Sequence, residues 1–156
     1  MNQDWPVADL DPVRRMRVLA ASTPGVAYAE KFISAPFDAV WAAASDLEHE
    51  LPRMVTVLRS FEITSARGER LTARARGRLG QRAEFDVVLR PGWCVMQSRF
   101  IIGGMAAVPE GQATRFAFLG GLRLPGLRLL DPVLRPASRR LALRPISRLE
   151  HRLRAR

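Results

Sequence analysis

The sequence predicts a single α+β domain, in which a curved antiparallel sheet of seven strands is closed by a long C-terminal helix. Between residues 55 and 120, short runs of alternating apolar and polar residues are separated by turn residues, which is typical of strands joined by hairpins. From residue 127 to 156 the apolar residues recur at helical spacing instead. The connections between strands are too short for parallel crossovers, so the sheet should be an antiparallel meander.

The first part of the chain predicts helices around one strand. Asp11-Pro12 begins a short helix, because aspartate can cap a helix and proline fits its first turn. We interpret residues 1–25 as an N-terminal extension and residues 26–156 as the main domain. In that domain a strand over residues 26–34 is followed by two short helices. The first of these has one apolar face, made of Phe37, Val40, Trp41 and Ala44.

Turn signals divide the middle of the chain into strands. Gly103-Gly104 is a hairpin signal. The turn near Gly80 would place Arg78 opposite Glu84 and Arg76 opposite Asp86, a ladder of opposite charges on the outer face. The alternative for these arginines is a nucleic-acid surface. The predicted strands cover residues 55–65, 70–78, 83–90, 93–101, a segment after Gly103-Gly104, and residues 113–120.

The C-terminal helix begins at Asp131-Pro132. Pro145 lacks a backbone donor and its ring collides with the preceding turn, so we expect a kink or break near Arg144. The helix also carries one apolar stripe, which shifts between Leu141 and Ala142. It consists of Leu130, Val133, Leu134, Ala137 and Leu141, continued by Ala142, Ile146, Leu149 and Leu153.

Composition narrows the class of protein. A chain of 156 residues, nearly half of them apolar, can bury the core of one domain. Its single cysteine, Cys94, forms no intramolecular disulfide, and the N-terminus does not have the pattern of a signal peptide. No run of about 20 apolar residues could span a bilayer. We therefore predict a cytoplasmic protein.

The element order carries a family resemblance. Together with residues 33–41 (Ile-Ser-Ala-Pro-Phe-Asp-Ala-Val-Trp) at the first strand–helix junction, it resembles the START-like helix-grip (SRPBCC) superfamily, and within it the polyketide cyclase/dehydrase-like proteins. Pro91-Gly92-Trp93 and residues 108–115 (Val-Pro-Glu-Gly-Gln-Ala-Thr-Arg) add to it. The resemblance implies a sheet wrapped around the C-terminal helix and a cavity for a lipid, quinone or polyketide-like molecule. It implies no shared catalytic residues.

A cavity for a hydrophobic small molecule is therefore our leading hypothesis, and an ordinary filled core is the alternative. The protein would act as a carrier or sensor, or alternatively as a polyketide cyclase or aromatase that folds a flexible chain into a reactive conformer. We predict that the cavity is lined by apolar side chains from the strands and helices. These are Trp41, Phe85, Val87, Met96, Phe116, Phe118, Leu134 and Leu141.

Candidate catalytic groups are few. Arg99, Gln97, Ser98 and Tyr28 are the polar residues that could enter the cavity; a buried Arg99 would need an acidic partner, in the protein or in the ligand. Cys94 and the only two histidines, His49 and His151, are far apart in sequence and lack metal-ligand spacing. We predict no metal and no cofactor.

The net charge of +10 lies mostly in the C-terminal region, where residues 121–156 hold ten arginines against Asp131 and Glu150. Three interpretations remain open: a solvated outer face of the helix, contact with an anionic membrane surface or lipid headgroup, and contact with RNA, a ribosome or an acidic protein. The last two would make the protein an adaptor. Its basic stripe recurs every four residues and includes Arg140, Arg144, Arg148 and Arg152, with Arg156 after them.

Overall fold

The structure is a computed structural model that describes residues 9–123, 126, 129 and 131–156, with only the backbone of residues 131–137. Within these residues the chain forms four α-helices and seven strands. The helices are α1 (Pro12–Ser22), α2 (Phe37–Ala44), α3 (Leu51–Met54) and α4 (Asp131–Arg154). The strands are β1 (Val26–Ile33), β2 (Leu58–Arg67), β3 (Arg70–Gly77), β4 (Arg82–Arg90), β5 (Trp93–Gln97), β6 (Ile101–Glu110) and β7 (Ala113–Leu122).

The strands form one antiparallel sheet with the order β1-β7-β6-β5-β4-β3-β2. Strands β2 to β7 follow one another as a meander, and β1 pairs with β7 at the other edge. The predicted α+β architecture is confirmed. It has a seven-stranded antiparallel sheet, two short helices after the first strand, a long C-terminal helix and an additional N-terminal helix. None of the described helices is long and apolar enough to cross a bilayer.

The predicted hairpin at Gly103-Gly104 is wrong, because both glycines lie inside β6. The chain turns earlier, where the Ser98 N–H donates to the Ile101 carbonyl at 2.8 Å. Glycine is used here for close approach. A Cβ on Gly103 would lie 3.1 Å from Cγ of Met96, and one on Gly104 would lie 2.9 Å from Sδ of Met16. A glycine pair inside a strand looks like a turn signal when only the local sequence is read.

The register predicted between β3 and β4 is also wrong. Glu84 lies opposite Arg74 instead of Arg78, and Asp86 lies opposite a threonine instead of Arg76. The hairpin is centred two residues earlier along the chain than Gly80-Gln81 suggests, which shifts every cross-strand pair. The guanidinium of Arg78 donates to the carbonyl of Thr56, so it ties the β3–β4 turn to the start of β2.

The main core lies between the inner face of the sheet and α2, α3 and α4. Its fully buried side chains include Val40, Leu47, Met54, Phe116, Ile146 and Leu149. Helix α4 runs without interruption through Pro145, so the predicted break into two segments is wrong. The later half of its predicted stripe is buried: Ala142, Ile146 and Leu149 are in the core, and Leu153 packs against it. Leu130, Val133, Leu134 and Ala137 lie outside the residues whose side chains are described.

Helix α1 packs on the outer face of the sheet, across β6 and β7. The side chains of Val13 and Met16 are fully buried there, in a second cluster with Ile102, Ala106 and Leu119. Polar contacts fix the helix at its N-terminus and at its middle. Arg115 on β7 donates to Asp11 at 2.9 Å, and Arg17 binds both carboxylate oxygens of Glu30 on β1 at 2.7 and 2.8 Å.

Candidate ligand cavity

A cavity of about 690 Å³ lies between the inner face of the sheet and α4. Sites for small molecules commonly enclose about 300–1,000 Å³, so this one has room for a single ligand. Most of its described lining is apolar and comes from the sheet, from the segment after α3 and from α4. The lining includes Ala27, Val55, Leu58, Phe61, Ala75, Ala83, Phe85, Met96, Met105, Phe118 and Ala142.

The hollow follows from small residues that lie side by side across the sheet. Met96 on β5 pairs with Gly103 on β6, Gly103 pairs with Gly120 on β7, and Gly120 pairs with Ala27 on β1. Three of these four adjacent positions carry no side chain larger than a methyl group. Side chains beside the glycines already approach them closely, since a Cβ on Gly120 would lie 3.3 Å from Cε1 of Phe118. We call Gly103, Gly120 and Ala27 the glycine row, and they form the floor of the cavity.

The structure places the predicted cavity residues in two groups. Phe85, Met96, Phe118 and Leu141 line the cavity. Trp41, Val87 and Phe116 are buried in the core beside it and are not in its lining. Helix α2 packs on β6 and β7 near Phe116. Its Trp41 stacks on Phe37 with ring centroids 6.5 Å apart, so side chains fill the space under this helix. Leu134 lies outside the residues whose side chains are described.

The four predicted catalytic residues lie away from the cavity. Strand alternation places Cys94 and Met96 inward and Gln97 outward, and the turn that follows β5 carries Arg99 into solvent. With Ser98, these two exposed side chains border a polar depression on the outer face of the sheet. The Arg99 guanidinium stacks over the Phe100 ring, 5.1 Å from its centroid. Ser98 accepts the Ile101 N–H at 3.1 Å. An inward Arg99 would have been a buried cation without a partner in the described structure, which is costly.

Tyr28 lies beneath α1 on the outer face. Its hydroxyl donates to Glu30 at 2.6 Å, and burial together with this hydrogen bond raises the pKa of the phenol above its ordinary value. Its contacts join α1 to β1, which is a structural role.

The basic stripe of α4 is not a uniformly solvated face. Arg152 binds both carboxylate oxygens of Glu50 at 2.6 and 3.0 Å, and Arg156 donates to the same carboxylate at 3.1 Å. Arg148 donates to the carbonyl of Met54 at 2.9 Å. Only Arg140 and Arg144, nearer the start of the stripe, are exposed without such a contact in the described structure. The end of the stripe therefore holds α4 on the segment around α3.

Sequence reasoning missed Glu50. Its side chain is 2% exposed, and the hydrogen bond from Arg152 holds the pKa of its carboxyl below the ordinary value. On the other side of α4, Lys31 of β1 donates to Glu150. The sequence contained one signal: the C-terminal helix carries far more arginine than acid, so acidic partners for its arginines have to come mainly from elsewhere in the chain.

Large apolar side chains are exposed at the mouth of the cavity. Val57 and Leu141, both in the lining, are 74% and 56% exposed, and Ile101 and Leu122 beside them are exposed as well. Large apolar side chains grouped on a surface mark a place where something binds. Here they surround the entrance to an apolar interior.

The polar groups of the lining limit its chemistry. They are Thr56, Gln81, Arg82, Arg144 and Arg148. In the lining as described there is no aspartate, glutamate, histidine, lysine, tyrosine or cysteine. Arginine does not give up its proton in proteins, so this set provides no general base. No group of three or more potential metal ligands occurs among the described residues.

Known proteins with a similar fold are found among solved structures only. No protein-family model matches the sequence, and neither does any of the curated proteins. Among solved structures, the chain is similar to TTHA0849 from Thermus thermophilus, with a TM-score of 0.61, 21% identity, and coverage of 83% of this chain and 97% of that one. It is also similar to the ZhuI aromatase/cyclase from Streptomyces sp. R1128, with a TM-score of 0.60, 12% identity, and coverage of 83% and 93%.

A third similar structure is a START superfamily protein from Mycobacterium smegmatis, with a TM-score of 0.57, 14% identity, and coverage of 84% of this chain and 98% of that one. The chain has the START-like helix-grip fold. In this fold the inner face of the sheet packs against α4, and the glycine row and α4 enclose the cavity between them. Helix α1 is packed behind that floor, on the other face of the sheet.

Proposed function

We propose that this START-like protein binds one hydrophobic small molecule in the cavity and acts as its carrier or sensor. The observation that carries the proposal is the cavity itself, about 690 Å³ of space lined mainly by apolar side chains, with further apolar side chains exposed at its mouth. Burial of apolar ligand surface there is favourable by about 25 cal/mol per Å². In this proposal residues 26–156 form the ligand-binding domain, and the N-terminal extension braces its sheet.

A second candidate function is that of a polyketide cyclase or aromatase. The similarity in fold to the ZhuI aromatase/cyclase favours it. Against it, the described lining supplies no side chain that titrates near neutral pH, and general acid–base catalysis depends on such groups. A cyclase of this kind would act mainly by imposing a conformation on its substrate. Turnover of a poly-β-ketone substrate analogue, followed by mass spectrometry, separates the two functions, because a carrier returns the analogue unchanged.

The binding proposal is tested with a neutral apolar dye, N-phenyl-1-naphthylamine, whose fluorescence rises in apolar surroundings. We expect saturable binding of one dye per protein. Ala75 is buried and lines the cavity, so Ala75→Leu places three more carbon atoms inside it and should weaken dye binding about tenfold or more. Because the added atoms enter empty space, the thermal midpoint should not fall as it does when a packed core is overfilled.

Ala66→Leu is the matched control. It makes the same change in side-chain size at an exposed position of β2 that is outside the lining, so dye binding should remain at the wild-type level. Absence of saturable dye binding to the wild type, or equal binding to wild type and Ala75→Leu, would contradict the proposal.

A further inference from the structure

We infer that the ligand is an anionic amphiphile, whose apolar tail occupies the cavity and whose acidic head group binds Arg144 and Arg148 at the mouth. This inference rests on the proposed function and specifies the class of ligand. It follows from the positions of the two guanidiniums and from the charges around them.

Arg144 and Arg148 lie one helical turn apart on α4, and both border the cavity. Arg148 is tied to the Met54 carbonyl by one of its nitrogens at 2.9 Å, which leaves further N–H groups of the same guanidinium available. Arg144 has no hydrogen bond or ion pair to any residue that the structure describes, and it is exposed at the mouth. Two permanently charged guanidiniums therefore border an apolar space.

Among the residues that the structure describes, no acidic side chain pairs with either of these two arginines. Like charges at i and i+4 on a helix repel each other. Farther along the helix that repulsion is relieved, because Arg152 binds Glu50, and Glu150 is held by Lys31 and Arg154. The part of the lining that the structure describes contains arginine as its only charged residue type. A bound anion would satisfy Arg144 as Glu50 satisfies Arg152.

The tail and the head would be recognised separately. The glycine row and the side chains around it form the apolar end, and nothing charged lies in that floor. The arginines lie on α4 beside the exposed Leu141, where a head group remains in reach of water. A carboxylate or phosphate can accept two hydrogen bonds from one guanidinium, which an alcohol of equal length cannot do.

The test compares ligands that differ only in the head group. Lauric acid and lauryl alcohol, which share one alkyl chain, are titrated against the bound dye N-phenyl-1-naphthylamine, and lauryl phosphate is included as a second anion. We expect both anions to displace the dye at about tenfold lower concentration than the alcohol, the factor that one charge-assisted hydrogen bond supplies. Arg144→Gln should remove most of that preference, because it weakens the binding of the two anions more than that of the alcohol, and Arg144→Lys should restore part of it.

Arg140→Gln is the matched control, since it removes the same charge one turn away, at an exposed position outside the lining. It should keep the preference for the anions. Equal displacement by acid and alcohol in the wild type would overturn this inference and leave the proposed function standing. An equal loss in the Arg140 and Arg144 variants would also overturn it, because a general positive field would then explain the preference. If none of the dye, acid and alcohol binds, the proposed function itself fails.

Discussion

Replacement of Glu50 by glutamine tests how α4 is held over the cavity. Glutamine has nearly the same shape, but it removes the charge that Arg152 and Arg156 bind. Glu50 is 2% exposed, so its carboxylate has little water to replace these partners. We expect Glu50→Gln to lower the free energy of unfolding.

The size of the loss follows from the exposure of the partners. Breaking a fully buried ion pair costs about 3–5 kcal/mol, because the remaining charge stays buried. The Arg152 side chain is 34% exposed and can turn toward water, which reduces that part of the cost. A hydrogen bond to a charged group contributes about 1.5–3 kcal/mol, and the amide oxygen still accepts one. We therefore expect a loss of about 2–3 kcal/mol near neutral pH.

Urea unfolding at several pH values measures this effect. Since the pKa of Glu50 is lowered in the folded state, its contribution is complete above the unfolded pKa of about 4.3 and is lost as the pH falls through the folded value. The difference between wild type and Glu50→Gln should therefore shrink on acidification below about pH 4. Glu62→Gln, at an exposed position of β2, is the control and should change little. Equal stability of wild type and Glu50→Gln at neutral pH would refute the reasoning.

Two further predictions concern the outer face and the core. Met16→Ala should lower the free energy of unfolding by about 2–5 kcal/mol, the usual cost of removing a buried methionine side chain, whereas Val18→Ala on the exposed side of α1 should change it by less than about 0.5 kcal/mol; urea unfolding compares the two, and equal losses would contradict the packing of α1. The single thiol, Cys94, is fully buried, and burial raises its pKa to about 12. Dithionitrobenzoate should therefore react with it far more slowly in the native protein than in urea, and equal rates would contradict its burial.

Most of the fold could be predicted from the sequence because its signals are local. Alternation along β4, the Pro91-Gly92 turn and the Asp11-Pro12 helix start each depend on residues near one another in the chain. Errors arose where one local pattern fits two structures. Gly103-Gly104 has the composition of a turn, yet the glycines make room for side chains from β5 and from α1. A kink or break was expected near Arg144, but there is no break, and Pro145 is buried within a continuous helix.

The candidate site was harder to predict, because its features depend on long-range pairing. The cavity floor consists of residues as far apart in sequence as Ala27 and Gly120, which become neighbours only when β1 closes on β7. Glu50 and Arg152 are likewise about 100 residues apart. Arg99 was a candidate because the predicted strand over residues 93–101 includes it. However, β5 ends at Gln97, and the turn carries Arg99 into solvent. No periodicity in the sequence reports these pairings.

A hollow under α4 removes apolar contacts that would otherwise hold this helix on the sheet. The structure compensates with charge at the far end, where Lys31 binds Glu150 and Arg152 binds Glu50. Because these ion pairs lie away from the glycine row, the shape of the floor can change without loosening the end of α4. Arg144 at the mouth is separate from both, because it makes no ion pair or hydrogen bond to any residue that the structure describes. If the cavity holds an anionic amphiphile, the floor would select the size of its tail and Arg144 the charge of its head, so single substitutions should alter one preference without the other.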